Sequence, residues 1–217
     1  QHRRREAECI GSRCLEGLVF MSGTVLGLFR HGQTDWNVDL RLQGTAEIPL
    51  NSHGVEQVKN ATKNLDLLSW DVVLTSPLGR AKETADIILA EMTGTELLVE
   101  PMLIERSFGI GEGMLYSEWH EKYGQLEEIP GAESNNSIIL RSRQLLELML
   151  EKYSGAKILA ISHGALIRYL LNEVSKGSVP PAGERLQNAS LHMLRHDLSW
   201  ELDAWAPDPL GDFTQAS

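Results

Sequence analysis

Two short apolar runs in this 217-residue chain each end in a histidine followed by a glycine. The two segments are Val25–Phe29 with Arg30-His31-Gly32, and Lys157–Ile161 with Ser162-His163-Gly164. A continuous apolar run of this length is typical of a strand that is buried on both faces of a sheet. In open α/β sheets, ligands bind in the crevice at the carboxyl ends of the strands. The pattern therefore predicts two central strands that deliver two histidines to one site.

Strand-like and helix-like segments alternate through most of the chain. The further predicted elements are strands at Asp71–Thr75 and Glu96–Val99, helices at 54–67, 137–152 and Ala165–Val174, a short helix around Ser117–Tyr123, and a closing antiparallel pair at Ala189–Arg195 and Trp200–Trp205. Ser76-Pro77 has the residue types of an N-cap and a first helical position, which places Arg80 in the first turn of a helix. This alternation predicts an α/β protein, a three-layer α/β/α sandwich with a mainly parallel central sheet.

The composition argues against a nucleic-acid partner, a membrane span and a zinc site. A formal charge of −10 argues against a nucleic-acid binder, which would show a basic face. No stretch approaches the roughly 20 apolar residues of a membrane span. Cys9 and Cys14 lack the second pair of ligands that a zinc site needs, and the absence of any later cysteine fits a reducing cytoplasm, the expected location.

The first 20 residues differ from the rest of the chain, since they show neither motif nor sustained periodicity. Met21 directly precedes the first predicted strand. We therefore expect residues 1–20 to be an extension outside the domain and residues 21–217 to form the domain.

A series of motifs accompanies the two histidines in a fixed order. It comprises Arg30-His31-Gly32-Gln33-Thr34, Asn37, Gln43-Gly44, Pro49-Leu50, Thr75-Ser76-Pro77, Arg80-Ala81, Leu103, Glu105-Arg106, Phe108-Gly109, Glu112-Gly113, Pro130-Gly131, Glu133-Ser134 and Ser162-His163-Gly164. In content and order this series resembles the histidine phosphatase superfamily, also called the phosphoglycerate mutase-like family. The resemblance covers roughly residues 24–205. Glu47 departs mildly from it, since the family usually has aspartate there.

The resemblance implies a role for each matching residue. His31 would accept the phosphoryl group, Arg30 and Arg80 would grip its oxygens, His163 would be the second histidine of the pocket, and Glu105 would be the proton donor. The implied catalytic set is His31, Glu105, Arg30, Arg80 and His163, and the implied substrate-binding set is Asn37, Gln43, Gly44 and Gly164.

Elementary chemistry favours these residue types for phosphoryl transfer. A phosphate monoester dianion repels anionic nucleophiles, so that a neutral imidazole is a suitable attacking group. Arginine presents a planar fork that binds two phosphoryl oxygens at once. A departing alkoxide needs a proton, which a carboxylic acid supplies.

A metal site with His31 and His163 as ligands is an alternative interpretation. Adjacent Arg30 and Arg80 would repel a divalent cation, and no carboxylate cluster accompanies His31 and His163. We therefore expect neither a metal nor a cofactor.

The predicted function is hydrolysis of a phosphomonoester through a phosphohistidine intermediate. Residues 107–135 contain six glutamates and one cation, Lys122, which would repel a bisphosphorylated acid and favours hydrolysis over mutase chemistry. A cofactor-dependent phosphoglycerate mutase is the alternative, and a catalytically silent phosphate-binding module is a third interpretation. The expected partner is a small phosphorylated metabolite of unspecified identity, with no nucleic acid and no membrane. A homodimer is left open.

Overall fold

The computed structural model describes residues 14–15, 18–19, 23–65 and 70–205. Within them, β1 (Cys14–Leu15) and β2 (Leu18–Val19) pair with each other, and six further strands form one sheet. These strands are β3 (Thr24–Arg30), β4 (Val72–Thr75), β5 (Leu97–Val99), β6 (Lys157–Ser162), β7 (Leu191–His196) and β8 (Trp200–Ala204).

The strand order is β5-β4-β6-β3-β7-β8. The first four strands pair in parallel, whereas β7 pairs antiparallel with both β3 and β8. The predicted α/β class with a mainly parallel sheet is confirmed.

The described ranges contain six helices, of which four cover the two faces of this sheet. They are α1 (Asp35–Val38), α2 (Ser52–Thr62), α3 (Gly79–Leu89), α4 (Tyr116–Tyr123), α5 (Asn135–Tyr153) and α6 (Gly164–Val174), with 3₁₀ turns at Pro101–Leu103, Gly109–Gly111 and Leu126–Glu128. Buried residues of α2 and α3 form one apolar cluster with the sheet, and buried residues of α5 and α6 form the other. None of the helices in the described ranges is long and apolar enough to cross a membrane.

Burial on both faces explains the unbroken apolar sequences of the central strands. On β6, Ile158 and Ala160 belong to the α5–α6 cluster, whereas Leu159 and Ile161 belong to the α2–α3 cluster. Successive side chains of a strand point to opposite faces, and each face here meets a helical layer. A strand in this position therefore needs apolar residues at every step.

The strand register brings the two His-Gly turns side by side. Arg30 pairs with Ser162 across β3 and β6, so that His31 and His163 are the next residues on the two neighbouring chains. Thr75, the last residue of β4, pairs with Ile161 at the same edge. The carboxyl ends of three parallel strands thus meet at one place, as the sequence predicts.

Three local predictions differ from the structure. The predicted start of α3 at Ser76-Pro77 is wrong, because the helix begins at Gly79 and the Ser76 hydroxyl lies instead 2.7 Å from Nε2 of His163. Helix α2 begins at Ser52 rather than at residue 54, since the Asn51 side chain caps it. It ends at Thr62, and residues 66 and 67 of the predicted range lie outside the described residues. The sequence interpretation had no counterpart of α1.

Candidate active site

His31 lies at the centre of the edge where β3, β4 and β6 end, and its side chain is buried. Its Nδ1 is 2.7 Å from the carbonyl oxygen of Gly32. Because a carbonyl only accepts hydrogen bonds, Nδ1 carries the ring proton and Nε2 keeps its lone pair. Burial lowers the pKa of His31 well below 6.5, and the guanidinium groups of Arg80 and Arg30 lower that pKa further. The imidazole is therefore neutral, with a free lone pair on Nε2.

Arg80 approaches the same nitrogen from the first turn of α3. Its Nε lies 3.3 Å from Nε2 of His31, and its two terminal nitrogens donate to the carbonyl oxygens of Ala46 and Gly44, each at 2.8 Å. The side chain is only 1% exposed. Burial lowers the pKa of Arg80, and nearby carboxylates oppose this: those of Glu105, Glu47 and Glu112.

Arg30 supplies the second guanidinium group. One terminal nitrogen donates to the carbonyl of Leu186, whereas its Nε is buried without a partner in the described part of the chain. Its guanidinium lies against Gly164, where an added Cβ would be 3.2 Å from Nε. Burial lowers the pKa of Arg30 to about 10, so that the group remains charged at neutral pH.

His163 is the N-cap residue of α6, and its ring centroid is 5.1 Å from that of His31. Its Nε2 contacts the Ser76 hydroxyl, and its buried Nδ1 has no partner among the described residues. Burial lowers the pKa of His163 well below 6.5, and the charge of Arg80 adds to this effect. A second neutral imidazole therefore borders His31.

Glu105 lies beside this pair at the amino end of α6. Its carboxylate accepts backbone N–H groups of Ala165 at 3.0 Å, of Leu166 at 3.1 Å and of Arg106 at 2.8 Å. A helix N-terminus favours a negative charge because its N–H groups and its dipole both point outward. In this structure Glu105 thus acts as a hydrogen-bond acceptor. Its predicted role as proton donor stays a prediction.

The predicted accessory residues take three different positions. Thr34 caps α1, and Oδ1 of Asn37 accepts the Thr34 backbone N–H and the Asn188 side chain, each at 3.1 Å. The Asn37 amide N–H groups are thus left for a ligand. Gln43 is buried, and its Oε1 has no partner among the described residues. Gly44 has φ of +56°, a conformation that favours glycine, and its carbonyl holds Arg80.

Sequence reasoning missed several residues that shape the site. Asn188 donates to the carbonyl of His31 at 3.0 Å, and Thr84 accepts from the backbone N–H of Gly32 at 3.2 Å. Ser76, which the sequence predicts to cap α3, instead precedes the helix and contacts His163. Bonds of this kind join a side chain to the main chain of a distant segment, which leaves no periodic pattern in the sequence.

A family model of the histidine phosphatase superfamily (branch 1) matches residues 26–206. The chain belongs to this superfamily. The uncharacterized phosphatase PhoE of Bacillus subtilis is 36% identical to this histidine phosphatase over 168 residues, which cover 77% of the chain and 86% of PhoE. The probable phosphoglycerate mutase GpmB of Serratia proteamaculans is 33% identical over 201 residues, which cover 86% of the chain and 92% of GpmB.

A solved structure supports the same assignment. A mycobacterial glucosyl-3-phosphoglycerate phosphatase superimposes with a TM-score of 0.73 at 28% identity, covering 83% of this chain and 98% of that one. With relatives named as phosphatases, this histidine phosphatase is a phosphoric monoester hydrolase. Within the described ranges, no group of three or more His, Cys, Asp or Glu side chains could hold a metal ion.

Proposed function

We propose that this enzyme hydrolyses a small phosphorylated metabolite in two steps, with a phosphoryl group carried transiently on Nε2 of His31. The observation that carries the proposal is the unprotonated Nε2, fixed by the Nδ1 bond to Gly32 and lying 3.3 Å from Nε of Arg80. The substrate phosphate would take the place of this contact, with Arg80 and Arg30 along its oxygens. Their charges would stabilise the transition state, in which negative charge spreads over the phosphoryl oxygens.

The first step forms the bond from Nε2 to phosphorus and breaks the bond from phosphorus to the ester oxygen. The leaving oxygen takes a proton, for which Glu105 is the proposed donor. In the second step, water attacks phosphorus and gives its proton to the Glu105 carboxylate, and the bond from phosphorus to Nε2 breaks, which restores the lone pair of His31. The neutral His163 would hydrogen bond to the phosphoryl group in both steps.

A trapping experiment tests the intermediate. Brief incubation with a ³²P-labelled phosphomonoester and denaturation should leave label on the protein that is labile in acid and stable in base. The His31→Ala variant should take up no label. Full labelling of that variant would refute the role of His31, and loss of activity on adding EDTA would refute a metal-independent reaction.

The proton donor is tested by comparing leaving groups. Glu105→Gln should slow hydrolysis of an alkyl phosphate by about 10²-fold or more, and that of an aryl phosphate much less, because an aryl oxide leaves without protonation. Equal losses on both substrates would show that Glu105 is not the acid.

The acidic cap segment (residues 107–135) favours a substrate whose leaving group is neutral or weakly charged. Its exposed carboxylates are those of Glu118, Glu121, Glu127 and Glu128. Replacing these four with Gln should lower the KM for 3-phosphoglycerate, and the gain should shrink at high salt, where such charges are screened. An unchanged KM would show that the carboxylates do not influence the substrate.

Phosphoglycerate mutase activity is the second candidate, because a relative carries that name. Both activities are measured on one preparation with 3-phosphoglycerate and catalytic 2,3-bisphosphoglycerate. We expect release of inorganic phosphate to be faster than formation of 2-phosphoglycerate. The opposite result would establish the mutase.

A further inference from the structure

Glu112 joins the cap segment to the loop that holds Arg80. Its Oε1 accepts the backbone N–H of Thr45 at 2.9 Å, the Thr45 hydroxyl at 3.1 Å and the backbone N–H of Phe108 at 3.2 Å. Its Oε2 is 3.3 Å from the same hydroxyl. One carboxylate thus binds two separate loops at their main chain.

The loop of residues 42–46 is also the one that fixes Arg80. The carbonyl oxygens of Gly44 and Ala46, on either side of Thr45, accept the two terminal guanidinium nitrogens. A Cβ at Gly44 would lie 2.1 Å from Oε1 of Glu112, which shows that the carboxylate lies directly against this turn. Any movement of the turn would therefore displace both carbonyls and the guanidinium they hold.

Further hydrogen bonds between the two segments lie before the turn, at residues 40–42. Gly113 donates to the Leu42 carbonyl at 2.8 Å, and Leu42 donates to that of Met114 at 3.0 Å. These bonds align the start of the loop but do not reach Thr45. Glu112 continues the connection up to the turn itself.

We propose that Glu112 is a positioning residue for phosphoryl transfer: it fixes the Gly44–Thr45 turn, and the turn aims the Arg80 guanidinium at the phosphoryl group. This inference rests on the proposed function. It assigns Glu112 no contact with the substrate and no proton to transfer. Misplacing a catalytic group by about 1 Å can cost about 10²-fold in rate, so that a side chain outside the pocket can matter this much.

Two substitutions separate positioning from acid catalysis. Glu112→Ala should reduce kcat/KM by about 10- to 100-fold on alkyl and aryl phosphates alike. Glu112→Gln should recover most of the activity, because its amide oxygen can accept the Thr45 and Phe108 N–H groups and its amide nitrogen can donate to the Thr45 hydroxyl. A loss in Glu112→Gln that is confined to alkyl phosphates would overturn the proposal and identify Glu112 as an acid.

Inhibition by inorganic phosphate gives a second readout that does not depend on a phosphohistidine. Glu112→Ala should raise the inhibition constant of phosphate, because a misplaced Arg80 binds the anion less well. Wild-type phosphate affinity and wild-type kcat/KM in a folded Glu112→Ala protein would overturn the proposal. Failure to trap label on His31, with weakened phosphate binding in Glu112→Ala, would refute the proposed function alone and leave the positioning role standing.

Asp71→Ala is the matched control. The Asp71 carboxylate likewise accepts a backbone N–H, that of Lys157 at 2.8 Å, but at the amino ends of β4 and β6, away from the site. The Asp71→Ala substitution should lower the melting temperature and leave kcat/KM and the phosphate inhibition constant unchanged. If Glu112→Ala does not fold, Thr45→Val tests the same connection, since it removes the hydroxyl bonds and keeps the backbone bond. A smaller loss of phosphate affinity is then expected in Thr45→Val, and wild-type phosphate affinity and kcat/KM in that variant would overturn the proposal.

Discussion

His192 should make the protein sensitive to acid, although it takes no part in the proposed reaction. It is fully buried on β7, its Nε2 lies 3.1 Å from the Ser190 hydroxyl, and its Nδ1 has no partner in the described part of the chain. Burial, followed by the charge of Arg30, lowers the pKa of His192 from 6.5 to about 4. Protonation of this ring therefore favours the unfolded chain.

Proton linkage gives the sign and the size of the change in the free energy of unfolding with pH. Below pH 6.5 the unfolded chain takes up a proton that the folded chain does not bind, so that the free energy of unfolding falls as the pH falls towards 4. One pKa unit corresponds to about 1.4 kcal/mol, which gives about 3 kcal/mol for the whole interval and about 2 kcal/mol at pH 5. Above pH 6.5 the contribution of His192 to the free energy of unfolding is fully present.

Urea unfolding at pH 7.5 and pH 5.0 measures this contribution. The decrease in stability between the two pH values should be about 2 kcal/mol smaller for His192→Gln than for the wild type, whatever the variant's stability at neutral pH. His53→Gln is the control, since His53 is exposed on α2 and meets water in both states. A difference below about 0.5 kcal/mol between His192→Gln and the wild type, the usual error of additivity, would refute the reasoning.

Three further predictions concern the site and the extension. Gly164→Ala should raise the KM and the phosphate inhibition constant about tenfold, because the added Cβ would lie 3.2 Å from Nε of Arg30. The melting temperature should change little, since a helix tolerates alanine. Unchanged kinetic values would show that Arg30 has room to move. Because burial and two arginines lower the pKa of His31, kcat/KM for an aryl phosphate should not fall as the pH passes through 6.5, and a protonation midpoint at that pH would contradict a neutral His31. A chain that begins at Met21 should keep the kcat/KM and the melting temperature of the full chain, and a clear decrease in either would show that residues 1–20 contribute to the domain.

The sequence predicts the central strands well because burial on both faces requires unbroken apolar runs. Val25–Phe29 and Lys157–Ile161 lie within β3 and β6, and the histidines that follow them meet as expected. The start of α3 could not be predicted in the same way. A serine before a proline is a good local helix signal, yet α3 begins only at Gly79. The Ser76 hydroxyl accepts the Leu78 N–H at 3.3 Å and also contacts His163, 87 residues later in the chain.

The motif series predicts which residues lie in the site but not how they are held there. Motif order identified Arg30 and Arg80, but it gave no reason for their orientation, which depends on carbonyl groups of distant loops. Asn188 and the connection from Glu112 to Thr45 also depend on loop geometry. Sequence patterns report burial and local caps, whereas these contacts form only once the chain has folded.

The way both arginines are held has a consequence for how such an enzyme can change over generations. Arg80 is held by the carbonyls of Gly44 and Ala46, and Arg30 by that of Leu186. Every residue has a main-chain carbonyl, so that side chains at these positions can be replaced while both guanidinium groups stay in place. Substitutions in the cap segment can then change which leaving group is accepted, while the proposed phosphate site keeps its geometry.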